Sequence, residues 1–125
     1  MNIPENLLYT KEHEWIKIED NIATIGITDY AQSELGDIVF LEFPNVGDKF
    51  EQNDIFGTIE AVKTLADLYI PVGGEIIENN DELDSNPELI NSSPYDEGWI
   101  VKISLTNTDD IKSLLNAADY KSLIS

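Results

Sequence analysis

A single lysine separates two strand-like segments within residues 56–71, which read FGTIEAVKTLADLYIP. Lys63 lies at the turn, and the turn contains none of the Gly or Asn residues that two-residue hairpin turns prefer. A type I turn tolerates almost any residue, so the hairpin can form without them. A deprotonated, accessible lysine amine can be acylated. We therefore predict that Lys63 is displayed for a modifying enzyme; the ordinary alternative is an incidental surface lysine.

The charge of the chain is strongly one-sided. Twenty-five Asp and Glu residues oppose seven Lys and Arg residues, giving a formal net charge of −18 over 125 residues. Such a surface repels phosphate, so we expect no nucleic acid and no anionic membrane among the partners. The length and the 42% apolar content predict one domain over residues 1–125.

Residue types exclude several kinds of chemistry. The chain has no cysteine and one histidine, His13, so neither a thiol nucleophile nor an all-histidine metal site is available. No nucleophile–base pair or phosphate-binding loop is visible, and enzymatic activity is the weakest hypothesis. The N-terminal MNIPENLLYT resembles neither a signal nor a transit peptide, and no apolar run is long enough to span a membrane. A cytoplasmic location is the expectation.

Short strands with frequent turns dominate the pattern. Residues 14–27 predict a hairpin that turns at Glu19-Asp20-Asn21, and further strands are expected at 37–43, 55–62, 65–70, 75–78 and 99–105. In the 55–62 strand, alternation would place Ile55, Gly57, Ile59 and Ala61 on one face. A helix capped by Thr28 or Asp29 should end at Gly36. These elements predict a small β sandwich or barrel with peripheral helices.

Two further stretches are predicted to be helical. One short piece is expected around 87–90, and the C-terminus predicts a helix in which Ile111, Leu114 and Leu115 share a face, with Thr108 as its cap. Both tryptophans, Trp15 and Trp99, are expected to be core aromatics.

Four segments, in order, resemble one known family. They are YTKEHEWIKIED, ATIGITDYAQSELGDIVFLEFPNVGD, GTIEAVKTLADLYIPVGGEI and NPELINSSPYDEGWIVKI, and together they span nearly the whole chain. The chain resembles the H protein of the glycine cleavage system, whose attachment lysine falls on Lys63. The family commonly has Glu-Ser-Val-Lys-Ala there, whereas this chain has Glu-Ala-Val-Lys-Thr at residues 60–64.

The resemblance implies a fold and a function. The fold is a small sandwich of two antiparallel sheets (a lipoyl/biotinyl-carrier-like, barrel-sandwich hybrid) with short peripheral helices and a helical C-terminus. The implied function is a non-catalytic carrier with lipoic acid bound covalently to Lys63. It would take an aminomethyl group from a pyridoxal-phosphate-dependent glycine decarboxylase to a tetrahydrofolate-dependent aminomethyltransferase. A flavin-dependent dihydrolipoyl dehydrogenase would reoxidise the cofactor, and a lipoyl-attaching enzyme would install it.

The family also docks its loaded arm on acidic residues. By position, the resemblance assigns this role to Glu14 and Asp67, and Glu12 stands where the family can carry serine. Carboxylates suit a protonated amine. The alternative is that these are ordinary solvated carboxylates, and His13 is expected to be structural or exposed.

Other classes of carrier protein are alternatives to this hypothesis. A biotin carrier domain usually has methionine on both sides of its lysine, whereas Val62 and Thr64 flank Lys63. The lipoyl domain of a 2-oxoacid dehydrogenase usually belongs to a larger acyltransferase with a linker. An H-like protein that relays octanoyl or lipoyl groups, and a non-carrier interaction module, also remain open.

Overall fold

Two antiparallel sheets form the body of the protein in a computed structural model that describes residues 2–125. One sheet has six strands in the order β1-β2-β3-β9-β8-β5, and the other has three in the order β4-β6-β7. The strand bounds are β1 Leu8–Tyr9, β2 Glu14–Glu19, β3 Ile22–Ile27, β4 Ile38–Glu42, β5 Lys49–Phe50, β6 Ile55–Ala61, β7 Leu65–Tyr69, β8 Gly74–Asn79 and β9 Val101–Leu105. The predicted fold of two antiparallel sheets is confirmed.

Helices lie at the ends and edges of these sheets. They are α1 Asp29–Leu35, α2 Glu82–Ser85, α3 Leu89–Ser92, a 3-10 helix at Thr108–Ser113 and α4 Ala117–Ile124. The prediction near 87–90 corresponds to α3, whereas α2 was not predicted. Within the described residues, no helix is long and apolar enough to cross a membrane.

Local sequence explains the segment from β2 to α1. Asp20 and Asn21 join β2 to β3 with φ angles of 48° and 68°, a conformation that Asp and Asn tolerate best after Gly. Thr28 then caps α1 by accepting a hydrogen bond from the Ala31 amide at 3.1 Å. Gly36 follows α1 with φ of 81°, so both predicted helix boundaries are confirmed.

The face predicted for β6 is wrong at its start. The register with β7 shifts between Ile55 and Gly57, and this bulge places Ile55 at 50% exposure while Phe56 is buried. Ile59 and Ala61 do lie in the core. A bulge adds one residue to one strand and thereby reverses the alternation on one side of it.

The C-terminus contains two helical pieces where one helix was predicted. The 3-10 helix is capped by the Asn107 side chain, not by Thr108, and α4 is capped by Asn116. Between them, Leu115 exchanges two backbone hydrogen bonds of 2.8 Å with Tyr9. This pairing with β1 requires extended backbone, so the helix is interrupted there.

Apolar side chains form two clusters. The larger cluster lies between the two sheets, and the smaller one packs Tyr120 of α4 against Tyr9 and Trp15. Trp15 is buried, as predicted, and donates from Nε1 to the Pro94 carbonyl at 2.9 Å. Trp99, also expected in the core, is only half-buried at the edge of the smaller cluster, where the Lys102 ammonium lies 5.0 Å from its ring centroid. The smaller cluster ties α4 to the region that carries the site.

Candidate functional site

Lys63 occupies the tip of the β6–β7 hairpin. The Ala61 amide donates to the Thr64 carbonyl at 2.8 Å, and the Val62 amide donates to the Asp37 carbonyl at 3.0 Å. These bonds hold the tip from within the hairpin and from the start of β4. Among residues 2–125, the non-glycine residues with positive φ are His13, Asp20, Asn21 and Asn53. The tip therefore needs no Gly or Asn, which explains its composition.

The Lys63 side chain is exposed and extends over the end of α1. A Cβ atom built on Gly36 would lie 3.3 Å from Lys63 Cε and 3.8 Å from Nζ, so the lysine chain uses the space that glycine leaves open. The ion pairs within the described chain involve Lys17, Lys102 and Lys112. Lys63 is not among them, and its amine is accessible to another protein.

Asn91 fixes the segment against which Lys63 rests. Its amide nitrogen donates to the Gly36 carbonyl at 2.9 Å and to the Gln32 side chain at 3.1 Å, while its oxygen accepts from the Ile38 amide at 3.0 Å. One side chain thus satisfies backbone groups on both sides of the turn between α1 and β4. This arrangement keeps the end of α1 close to the hairpin tip.

A cleft of about 450 Å³ lies between α1, the turn that precedes β2, and β7. Its volume is in the range of about 300–1,000 Å³ that is usual for small-ligand sites. Apolar and acidic side chains line it together. The lining residues are Glu12, His13, Glu14, Ile27, Tyr30, Ala31, Glu34, Leu35, Ile59, Ala66, Asp67, Leu68 and Tyr69.

Glu14 is buried at one wall of the cleft, with only 2% of its surface exposed. Its Oε1 accepts a hydrogen bond from the Thr10 hydroxyl at 2.6 Å, and its Oε2 accepts a long one from the Tyr69 amide at 3.4 Å. Burial raises the pKa of Glu14 to about 7, because the charged form is poorly solvated and two donors offset this only in part. The alternative of an ordinary solvated carboxylate is therefore wrong for Glu14.

The other acidic residues lie at the rim of the cleft. Asp67 is exposed on β7, and Glu12 is exposed in the turn before β2. Glu34, on α1, is a third exposed carboxylate of the lining and was not predicted. The fold thus brings Glu12, Glu14 and Asp67 to one cleft, as their assignment to a common role requires.

His13, expected to be structural or exposed rather than catalytic, also lies in the lining of this cleft. Its backbone φ is 72°, its Nδ1 lies 2.8 Å from the Tyr120 hydroxyl, and its ring lies 4.9 Å from that of Tyr30. Burial lowers the pKa of His13, while the nearby Glu12 and Glu34 carboxylates oppose that shift. The side chain is both part of the packing and part of the lining.

Several positioning residues escaped the sequence analysis. Asn91 is 55 residues from Gly36, and Tyr120 is 107 residues from His13. No local spacing pattern marks such pairs. The sequence contained a weak indication of Glu34. Helix α1 was predicted, and Glu34 lies near its C-terminal end, which adjoins Lys63.

A chemical description of the site follows from these contacts. An arm attached to Lys63 would start beside Gly36, one residue beyond Leu35, which lines the cleft. The apolar lining suits a hydrocarbon or dithiolane group, and the four carboxylates suit a cationic amine. The residues present therefore fit a covalently bound lipoyl group that carries a positively charged end.

Comparisons with known proteins agree with this description. The family model described as glycine cleavage H-protein matches residues 7–125. A glycine cleavage system H protein from Bacteroides fragilis is 51% identical over 125 residues, covering 100% of this chain and 99% of that protein. One from Halothermothrix orenii is 53% identical over 120 residues, covering 96% and 94%.

The fold is also similar to a solved structure. The crystal structure of a glycine cleavage system H protein from Mycobacterium marinum superposes with a TM-score of 0.89 at 35% sequence identity. The match covers 96% of this chain and 97% of that one. Both the sheets and the C-terminal helices are therefore included in the similarity.

Proposed function

The chain belongs to the glycine cleavage H-protein family, and from this premise we propose that it carries lipoic acid covalently on Lys63. The proposed task is to take an aminomethyl group from glycine decarboxylase to the aminomethyltransferase, without catalysis by the chain itself. One observation carries this proposal. Lys63 is exposed at a hairpin tip, and its side chain lies over Gly36, the residue after Leu35, which lines an acidic, partly apolar cleft.

The chain's own residues would perform three tasks. The hairpin displays the Lys63 amine, and the hydrogen bonds at Ala61 and Val62 keep the tip from reorganising when an enzyme engages it. The cleft shields an arm from water. Glu14, Asp67 and Glu12 would hold a protonated amine by charge-assisted hydrogen bonds. When bound, the lipoyl group supplies the two sulfur atoms that take up the cargo and change redox state.

The proposed partners follow from the same function. They are a lipoyl-attaching enzyme, a pyridoxal-phosphate-dependent glycine decarboxylase, a tetrahydrofolate-dependent aminomethyltransferase and dihydrolipoyl dehydrogenase. Residues 1–125 would act as one lipoyl-carrier domain, and a cytoplasmic location stays a prediction. Family membership disfavours the biotin carrier and the 2-oxoacid dehydrogenase lipoyl domain as alternatives.

Lipoylation of the purified chain tests the proposal directly. The unmodified protein would be incubated with a lipoate–protein ligase, lipoic acid and ATP, followed by intact-mass measurement and peptide mapping. We expect one lipoyl group, on Lys63. The variant Lys63→Arg is the matched control, because it keeps the positive charge and length but should gain no mass.

Two results would contradict the proposal. Lipoylation chiefly at Lys49 or Lys102 would move the attachment site. Biotin on Lys63 in protein purified from lipoate-replete cells would change the cofactor.

A further inference from the structure

The Tyr120 hydroxyl lies between the two walls of the cleft. Tyr120 is fully buried, and its hydroxyl oxygen is 2.8 Å from His13 Nδ1 and 2.7 Å from Thr28 Oγ1. His13 belongs to the turn before β2, and Thr28 is the N-cap of α1, so each contact reaches a different wall. The C-terminal helix α4, which itself does not line the cleft, thereby holds both walls through one atom.

The direction of the hydrogen bonds follows from the buried Thr28 hydroxyl. Its oxygen accepts from the Ala31 amide at 3.1 Å, and the residue has no exposed surface. In the described chain, the Tyr120 oxygen is the acceptor within reach of the Thr28 hydrogen. If Tyr120 instead donated to Thr28, the Thr28 hydrogen would be buried without a partner, which is costly. Thr28 therefore donates to Tyr120, and Tyr120 donates to His13 Nδ1.

An Nδ1 atom that accepts a hydrogen bond carries no proton. The neutral imidazole then has its hydrogen on Nε2. Protonation of Nδ1 would require Tyr120 either to donate to Thr28 or to turn its hydrogen away from both neighbours. The first arrangement leaves the Thr28 hydrogen without an acceptor, and the second leaves the Tyr120 hydrogen without one. The network thus disfavours the imidazolium form on geometric grounds, in addition to burial.

We propose that Tyr120 is a positioning residue that holds His13 uncharged, as the Nε2–H tautomer, in the wall of the cleft. A charged His13 would compete with a cationic cargo for the same carboxylates. The role in holding cargo rests on the proposed function, whereas the protonation state of His13 does not.

The acidic surroundings of His13 would otherwise favour its charged form. The carboxylates of Glu12 and Glu34 favour the imidazolium form of His13. Without an opposing interaction, His13 would place a positive charge in the wall of the cleft. The titratable side chains that contact His13 or share the cleft with it come from four elements. They are Glu12 and Glu14 before and at the start of β2, Tyr30 and Glu34 on α1, Asp67 and Tyr69 on β7, and Tyr120 on α4.

Nuclear magnetic resonance can test the proposal on the unmodified full chain. His13 is the only histidine, so its ring nitrogens give an unambiguous 15N signal. We expect an unprotonated Nδ1 and a protonated Nε2 at pH 7. In Tyr120→Phe, which keeps the aromatic ring, the pKa of His13 should rise by about 0.5 to 1, the equivalent of one lost hydrogen bond.

Tyr9→Phe is the matched control. Tyr9 is also fully buried, its ring stacks on Tyr120 at 4.8 Å, and its hydroxyl donates to the Pro4 carbonyl at 2.5 Å. This variant loses a buried hydroxyl without touching His13, so its His13 titration should match that of the parent. An Nδ1–H tautomer or an imidazolium at pH 7 in the parent would overturn the proposal. A titration left unchanged by Tyr120→Phe would do the same.

The consequence for the cargo is measured separately on protein that has been lipoylated and loaded. Below pH 7, Tyr120→Phe should lose its cargo to water faster than Tyr9→Phe, because a larger fraction of His13 is charged in the first variant. Equal rates in these two variants would overturn the electrostatic role of Tyr120. Failure to lipoylate Lys63 in the parent would instead count against the proposed function, and the His13 titration would still stand.

Discussion

Replacement of the buried Glu14 by glutamine should change the pH dependence of stability. Burial raises the pKa of Glu14 from 4.5 to about 7, so the folded chain holds this proton more tightly than the unfolded chain does. The stabilising contribution of Glu14 is therefore fully present below about pH 4.5. It is lost as the pH rises through about 7, where the folded protein must bury a carboxylate.

The size of the effect follows from the two pKa values. A difference of about 2.5 corresponds to roughly 3 kcal/mol at 1.36 kcal/mol per pKa unit. Because Glu14 is only 2% exposed, solvent screening reduces this free-energy difference only slightly. Glutamine cannot ionise, but it changes the hydrogen bonds to Thr10 and Tyr69, at a cost of about 1 kcal/mol. Glu14→Gln should thus be slightly less stable than the parent at pH 5 and about 2 kcal/mol more stable at pH 8.

Urea denaturation at several pH values between 5 and 8 measures this difference. Asp67→Asn is the matched control, because it also removes one negative charge from the same cleft but at an exposed position. Its stability should stay within about 0.5 kcal/mol of the parent throughout. If the difference between Glu14→Gln and the parent changed by less than about 0.5 kcal/mol between pH 5 and pH 8, the buried, proton-binding role of Glu14 would be refuted.

Three further predictions concern the arm and its surroundings. Lys63→Ala should keep its free energy of unfolding within about 0.5 kcal/mol, since the side chain is exposed, yet fail to support glycine decarboxylation; a large loss of stability would make the lysine structural. Gly36→Ala should unfold about 1 kcal/mol more easily in urea, because φ is 81° and the added Cβ would lie 3.3 Å from Lys63 Cε. Gly36→Asn should cost at least as much, because ψ of −158° lies outside the left-handed helical region that Asn tolerates, and a milder effect of Asn would argue against this account of the strain. The double variant Glu14→Gln/Asp67→Asn should be lipoylated normally but lose a loaded aminomethyl group to water faster than the parent, and equal decay rates at low salt and neutral pH would contradict docking. High salt should hasten decay in the parent more than in the double variant, mainly through the exposed Asp67.

Features that depend on neighbouring residues were predictable from the sequence. The β2–β3 turn at Asp20-Asn21, the Thr28 cap and Gly36 beyond α1 all depend on local backbone preferences. The display of Lys63 belongs to this group too. Its hairpin is built from adjacent strands, and the prediction that it is an attachment site came from a contiguous motif.

Predictions failed where pairing with another segment determined the local structure. The C-terminal helix is interrupted because Leu115 pairs with Tyr9, more than one hundred residues away along the chain. The exposed face of β6 changes at Ile55 because the strand bulges against its partner. Neither event leaves a trace in residue periodicity, since the cause lies in another strand.

The cleft itself belongs to the tertiary structure. The family resemblance named Glu12, Glu14 and Asp67, but only packing made Glu14 a buried group whose pKa is near neutrality while Asp67 stayed in solvent. The link from Tyr120 to His13 spans 107 residues and depends on the packing of α4 against β1 and Trp15. Sequence determines which groups are available, whereas their charge states depend on burial and hydrogen-bond partners that only the assembled chain provides.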